Sequence, residues 1–139
     1  MAQRDVVLRW IEQLGRLIAR LLGRGSAGDF AIAREQVDEA VASLLGPLAT
    51  IVPHLETESA ADLIQAPERM FAYARLLDLD AAILHASGDA QAAEDRRSRA
   101  VALGRESVAR SRDERPEWTE WLAARADAGA GGAPRAAER

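Results

Sequence analysis

Gly28-Asp29-Phe30-Ala31-Ile32-Ala33, followed by Ala40, is answered sixty residues later by Gly88-Asp89-Ala90-Gln91-Ala92-Ala93 and Ala100. Each stretch is a Gly-Asp turn leading into a segment whose small residues recur five and twelve positions past the Gly. Gly ends one helix and Asp caps the next, accepting bonds from N–H groups that have no partner within the helix. Small residues at helical spacing then let the new helix lie close to its predecessor. The pair of turns therefore predicts an all-α fold built from helical hairpins.

Working outward, the segment before the first turn carries the strongest helical pattern. Over residues 4–22, Val7, Trp10, Ile11, Leu14, Leu17, Ile18 and Leu21 fall three or four apart. Val6, Leu8 and Leu22 widen the stripe to about half the cylinder, with Asp5, Arg9, Glu12, Arg16 and Arg20 opposite. So broad a stripe predicts several neighbours and a central place in the bundle. The helix after Asp29 is expected to run to Leu45 and to stop at Gly46-Pro47. Residues 47–66 suggest short turns interrupted by Pro53 and a brief helix capped by Ser59. Pro67 then opens a long, mostly apolar helix to about Ser87. Asp89 caps another, to about Arg112, with a thin stripe of Ala93, Ala100, Val101 and Val108. Pro116 opens a last short helix holding Trp118, Trp121 and Leu122. The expected organisation is a single helical domain over 1–128, with 116–128 as a capping helix and 129–139 a disordered Gly/Ala/Pro/Arg tail.

Composition agrees with helix-on-helix packing. Of 139 residues, 48% are hydrophobic but only 4% aromatic, so Ala, Leu, Val and Ile must fill the core. There is no Cys, which removes disulfides and thiolate chemistry and suits a cytoplasmic location. All 18 basic residues are Arg, which removes Lys-based Schiff-base chemistry. Charge is unevenly spread: five Arg against two acids in residues 1–24, three against thirteen in 25–95, and ten against seven in 96–139. The acidic middle argues against nucleic acid, which needs a basic stripe facing its phosphates. No apolar run is long enough to predict membrane insertion.

Candidate chemistry is sparse. Gly23-Arg24-Gly25-Ser26-Ala27-Gly28 matches G-x-G-x-x-G, but a helix precedes it where a dinucleotide site requires a strand, and Asp29 adds negative charge. Of the two histidines, His85 shares a helical side with Asp78 and Asp89, two turns or about 10 Å from Asp78. His54 and Glu56 would have to come from far along the chain to complete a metal site. The carboxylate pairs Asp38/Glu39, Asp78/Asp80 and Glu94/Asp95 point to different sides of their helices. No catalytic, cofactor-binding or metal-ligating residue is assigned, and the chain reads as a non-enzyme without a cofactor.

The functional expectation is an interaction or homo-oligomerisation module, with a protein partner or self-association. Trp118, Trp121 and Leu122 are its interaction candidates, since Trp is enriched at binding hot spots; the competing role is to cap the open end of the bundle. The alternative is a small-molecule- or metal-binding protein with a pocket near Tyr73, Asp78 and His85.

With these pieces placed, the chain resembles a group of small bacterial helical proteins of unknown function that carry tetratricopeptide-like hairpins. The likeness rests on Asp5-Val6-Val7-Leu8-Arg9-Trp10-Ile11-Glu12-Gln13-Leu14, the Gly28-Asp29-Phe30 turn, Leu44-Leu45-Gly46-Pro47 and Gly88-Asp89. It spans roughly residues 4–110 and implies a compact bundle of two such hairpins plus a short C-terminal helix. It implies no activity and no catalytic residue. Turns sixty apart depart from the 34-residue period of a tetratricopeptide array, so two hairpins in one globule are expected in place of a superhelix.

Overall fold

The computed structural model describes residues 2–126, with side chains from Val6 onward. The helices are α1 (Ala2–Arg24), α2 (Ala27–Leu45), α3 (Thr57–Ile64), α4 (Pro67–Ala86), α5 (Ala90–Arg110) and α6, residues 116–126. Two 3-10 turns, Gly46–Thr50 and Val52–His54, join α2 to α3. Among the described residues there is no strand. The expected tail at 129–139 lies outside the described residues.

Both Gly-Asp stretches begin hairpin helices, yet the two aspartates do different work. Ser26 is the N-cap of α2: its Oγ accepts the Asp29 N–H at 3.0 Å and donates to the Asp29 carboxylate at 2.7 Å. Asp29 therefore sits inside the first turn and is not the cap. In α5 the expected arrangement holds, with Asp89 Oδ1 accepting from the Ala92 N–H at 3.2 Å. The stripe of small residues survives this shift of register. Ala33, Ala40, Ala93 and Ala100 are all buried.

The centre of the bundle is α4 and not α1. Eleven of its twenty residues are buried, because apolar side chains surround most of its circumference and every other main helix finds a face to cover. It forms one hairpin with α5, while α1 and α2 form the other and pack across it. The polar side of α1 keeps that helix at the periphery. Among its described side chains it buries only the line Ile11, Leu14, Ile18 and Leu21, and leaves Val6 and Trp10 in solvent.

Between the hairpins, the 3-10 segment packs Val52, Leu48, Ala49 and Leu55 on the core and is tied to α5 by one side chain. Arg99 of α5 donates to the carbonyls of Val52 at 2.8 Å and Leu55 at 2.6 Å. Helix α3 starts after Glu56 with no side-chain cap, so Ser59 is an interior residue of α3. The buried line of α5 also differs from expectation: it runs Ala93, Ala100, Leu103, Gly104 and Ser107, while Val101 and Val108 are half-buried. Docking of α6 explains the buried Gly104. A Cβ on Gly104 would lie 2.8 Å from Leu122 and 3.1 Å from the Trp121 ring, so glycine is what lets α6 close on α5.

Candidate functional site

The three interaction candidates sit on α6, and two of them are inside the fold. Trp118 is 2% and Trp121 8% exposed, with Leu122 half-buried. Phe71 of α4 lies between the indoles, stacked on Trp118 at 4.6 Å and edge-on to Trp121 at 5.4 Å. Each indole also carries a guanidinium bound to a carboxylate of α4. Arg115 lies 4.9 Å from the Trp118 ring and pairs with Glu68 at 2.8 Å. Arg125 lies 4.6 Å from the Trp121 ring and pairs with Asp78 at 3.0 Å. Cation-π contact and ion pair thus reinforce one another at both ends of α6. The Trp121 indole N–H has no hydrogen-bond partner.

The residues of the alternative pocket are not brought together. Tyr73 is buried on the α5 side of α4. Asp78, five positions on, faces α1 and α6 where it holds Arg125, and His85 is exposed near the end of α4. What Tyr73 does share a face with is Asp80, seven positions later and so almost in line on a helix. These two line a cavity of about 200 Å³ between α2, α4, α5 and the 3-10 segment. Val37, Val41, Leu76 and Leu77 supply its apolar wall, and Asp38 and Arg96 its remaining charge.

Asp80 is the unusual group. It is 4% exposed, with Arg34 Nε 3.4 Å from Oδ1 and Arg96 Nε 3.4 Å from Oδ2. Those separations exceed the roughly 2.7–2.9 Å of a charge-assisted hydrogen bond, and Oδ1 accepts none. Burial raises its carboxyl pKa, and the flanking Arg34 and Arg96 pull it back only in part. The Tyr73 phenol is likewise pushed up by burial, against the charge of Arg99. The spacing signal for this pair, i and i+7 on the most apolar helix, was present in the sequence. It was masked by the nearer Asp78.

No family model matches the chain, and neither a curated protein nor a solved structure matches it. The resemblance to small bacterial helical proteins thus supports no more than an all-helical small protein. Among the described residues, no cluster of three or more His, Asp or Glu could hold a metal ion. The Gly23–Gly28 stretch is a plain interhelical turn: α1 continues through Arg24, and Ser26 takes the N–H that a phosphate would need. No helix among the described residues is long and apolar enough to cross a membrane.

Proposed function

We propose that this chain is a non-enzymatic interaction module, its hairpins of the tetratricopeptide kind, which pairs with a second copy of itself through the outward face of α1 and α2. The observation that carries this reading is where large apolar side chains remain in solvent. Of the five such side chains among the described residues, three lie on these helices, Val6 (60% exposed) and Trp10 (39%) on α1 and Ile32 (49%) on α2, and the other two, Ile51 and Leu63, lie singly beyond α2. Val6, Trp10 and the half-buried Leu17 fall within one narrow sector of α1, at i, i+4 and i+11. The opposite flank of α1, with Glu12, Gly15 and Ala19, borders α4, which leaves the Val6–Trp10–Leu17 line beside α2.

Charge favours a second copy as the occupant. Residues 1–24 carry five Arg against two acids, and residues 27–45 carry one Arg against four. A two-fold arrangement that lays α1 of each copy on α2 of the other matches +3 with −3 twice over, as an isologous interface requires. Helices of 23 and 19 residues, at about 1.5 Å per residue and 10 Å width, offer roughly 600 Å² of flat face. That approaches the ~800 Å² per partner of a specific interface.

Size-exclusion chromatography with multi-angle scattering tests the proposal directly. The expected mass is twice the chain's 15.0 kDa, falling to the monomer value in Trp10→Glu and Ile32→Glu. High salt should weaken the dimer by screening the charge match. A monomer at every concentration up to about 100 µM, an affinity at the weak end for specific pairing, would overturn the reading. A dimer indifferent to both substitutions would overturn it equally.

A further inference from the structure

We infer that the cavity between α2, α4, α5 and the 3-10 segment binds a small aliphatic α-amino acid, its ammonium on the Asp80 carboxylate and its carboxylate on the Arg96 guanidinium. This goes beyond the self-association reading and rests on other residues: Asp80 and Arg96 of α4 and α5 carry it, where Val6, Trp10 and Ile32 carry the pairing.

Three features of the site converge on that ligand class. An ionised carboxylate can accept about four hydrogen bonds, yet Asp80 sits 96% out of solvent with both guanidinium Nε atoms at 3.4 Å and Oδ1 accepting nothing. A buried carboxylate whose hydrogen bonds are left unmade is costly; Oδ1 is closed off beside Arg34, so the ligand ammonium would donate to Oδ2, on the Arg96 side of the cavity. The guanidinium of Arg96 is 38% exposed and also lines the cavity. It has donors to spare for a carboxylate, for which its planar fork is suited. Between these charges the wall is Val37, Val41, Leu76 and Leu77, which wants a hydrocarbon. Volume sets the size: about 200 Å³ falls below the roughly 300–1,000 Å³ of drug-sized pockets. A ligand with adjacent ammonium and carboxylate and a short aliphatic chain meets all three demands. A plain amine or a plain fatty acid meets two.

Isothermal titration of the full-length protein with L-valine, L-leucine, isobutylamine and isovalerate tests this. Saturable binding of at least one amino acid is expected at or below about 1 mM, with the amine and the acid each at least about tenfold weaker. Ala42→Trp should abolish binding without disturbing the fold, because Ala42 is exposed and lies on the cavity wall. Arg96→Gln should weaken it about tenfold or more. Unchanged circular dichroism and melting temperature establish that both variants are folded. No heat with any ligand at about 10 mM overturns the assignment and leaves a cavity filled by water alone. Isobutylamine binding as tightly as the amino acids overturns the role of Arg96, and binding that survives Ala42→Trp places the ligand elsewhere.

Discussion

Replacing Trp118 by Ala separates a capping helix from a partner-binding one. With 2% of its surface exposed, Trp118 buries most of the 150–250 Å² an indole offers, or about 4–6 kcal/mol at 25 cal/mol/Å². Large-to-small substitutions of buried aromatics cost about 3–5 kcal/mol. The Phe71 stack at 4.6 Å and the Arg115 contact place this site toward the top of that range. Domains have only about 5–15 kcal/mol of total stability, so the loss should take a third or more of it. Urea unfolding followed by circular dichroism reads this as a midpoint lowered by roughly 1.5–5 M, given slopes of about 1–3 kcal/mol/M. Glu120→Ala on the same helix is exposed and should change stability by no more than about 0.5 kcal/mol. A Trp118→Ala variant that loses less than about 1 kcal/mol would refute the argument, since a docked indole cannot be removed so cheaply. The indole would then be free for a partner.

Three further perturbations test other joints. Gly104→Val puts a branched side chain where a Cβ alone would meet Leu122 at 2.8 Å and the Trp121 ring at 3.1 Å. Overpacking should cost about 1–3 kcal/mol, less a few tenths for better helix propensity; a rise in melting temperature would show that α6 does not close on α5. Arg99→Ala takes the guanidinium donor from the Leu55 carbonyl and leaves the Val52 carbonyl with the Leu55 N–H alone. It should cost about 1–3 kcal/mol and expose residues 46–56 to limited proteolysis, whereas unchanged cleavage would mean the segment is held by packing alone. Burial raises the Asp80 pKa, so the fold favours its protonated form. That contribution is present below the unfolded value near 3.9 and is lost as pH rises through the folded one. Arg34 and Arg96 are 44% and 38% exposed, so removing the carboxylate strands no buried cation. Asp80→Asn should therefore gain on the parent as pH rises from about 4 to 7 in a series of thermal melts. A variant that instead falls behind over that range would show that the ion pairs outweigh burial.

The elements that could be read from the sequence are those decided within one or two turns of chain. Pro67 opening α4, Gly46 at φ 57° ending α2 and Asp89 capping α5 all follow from local backbone rules. The errors fall where two local solutions compete or where a distant helix decides. Ser26 and Asp29, three residues apart, are both good caps. Gly25 at φ 74° turns the chain early enough for Ser26 to take that role. Helix α5 packs on α4 and α3, and the docking of α6 against Gly104 makes that glycine an inner residue, while Val101 and Val108 are half-buried. The primacy of α4 over α1 was latent in composition. A helix apolar on every side has to be surrounded, and a helix apolar on half of one does not.

The same property of α4 explains why its two neighbouring carboxylates have separate fates. Asp78 and Asp80 are two residues apart, about 200° around the helix, so a fully surrounded α4 must present them to different partners. Asp78 meets Arg125 at 3.0 Å, in an exchange that ties α6 down and leaves the group partly in water. Asp80 faces the seam between the two hairpins, where no side chain completes its hydrogen bonds. Replacing such a buried ion pair by a well-packed neutral side chain is often neutral or stabilising. Packing alone thus accounts for Asp78 but not for Asp80. The incompletely bonded charge beside a cavity is what the binding proposal rests on, and the exposed line on α1 is what the pairing proposal rests on. The two proposals are separable: Trp10→Glu should dissociate the proposed dimer without altering the proposed amino-acid binding, and Ala42→Trp should do the reverse. Loss of both properties in either variant would mean that the cavity forms only in the dimer.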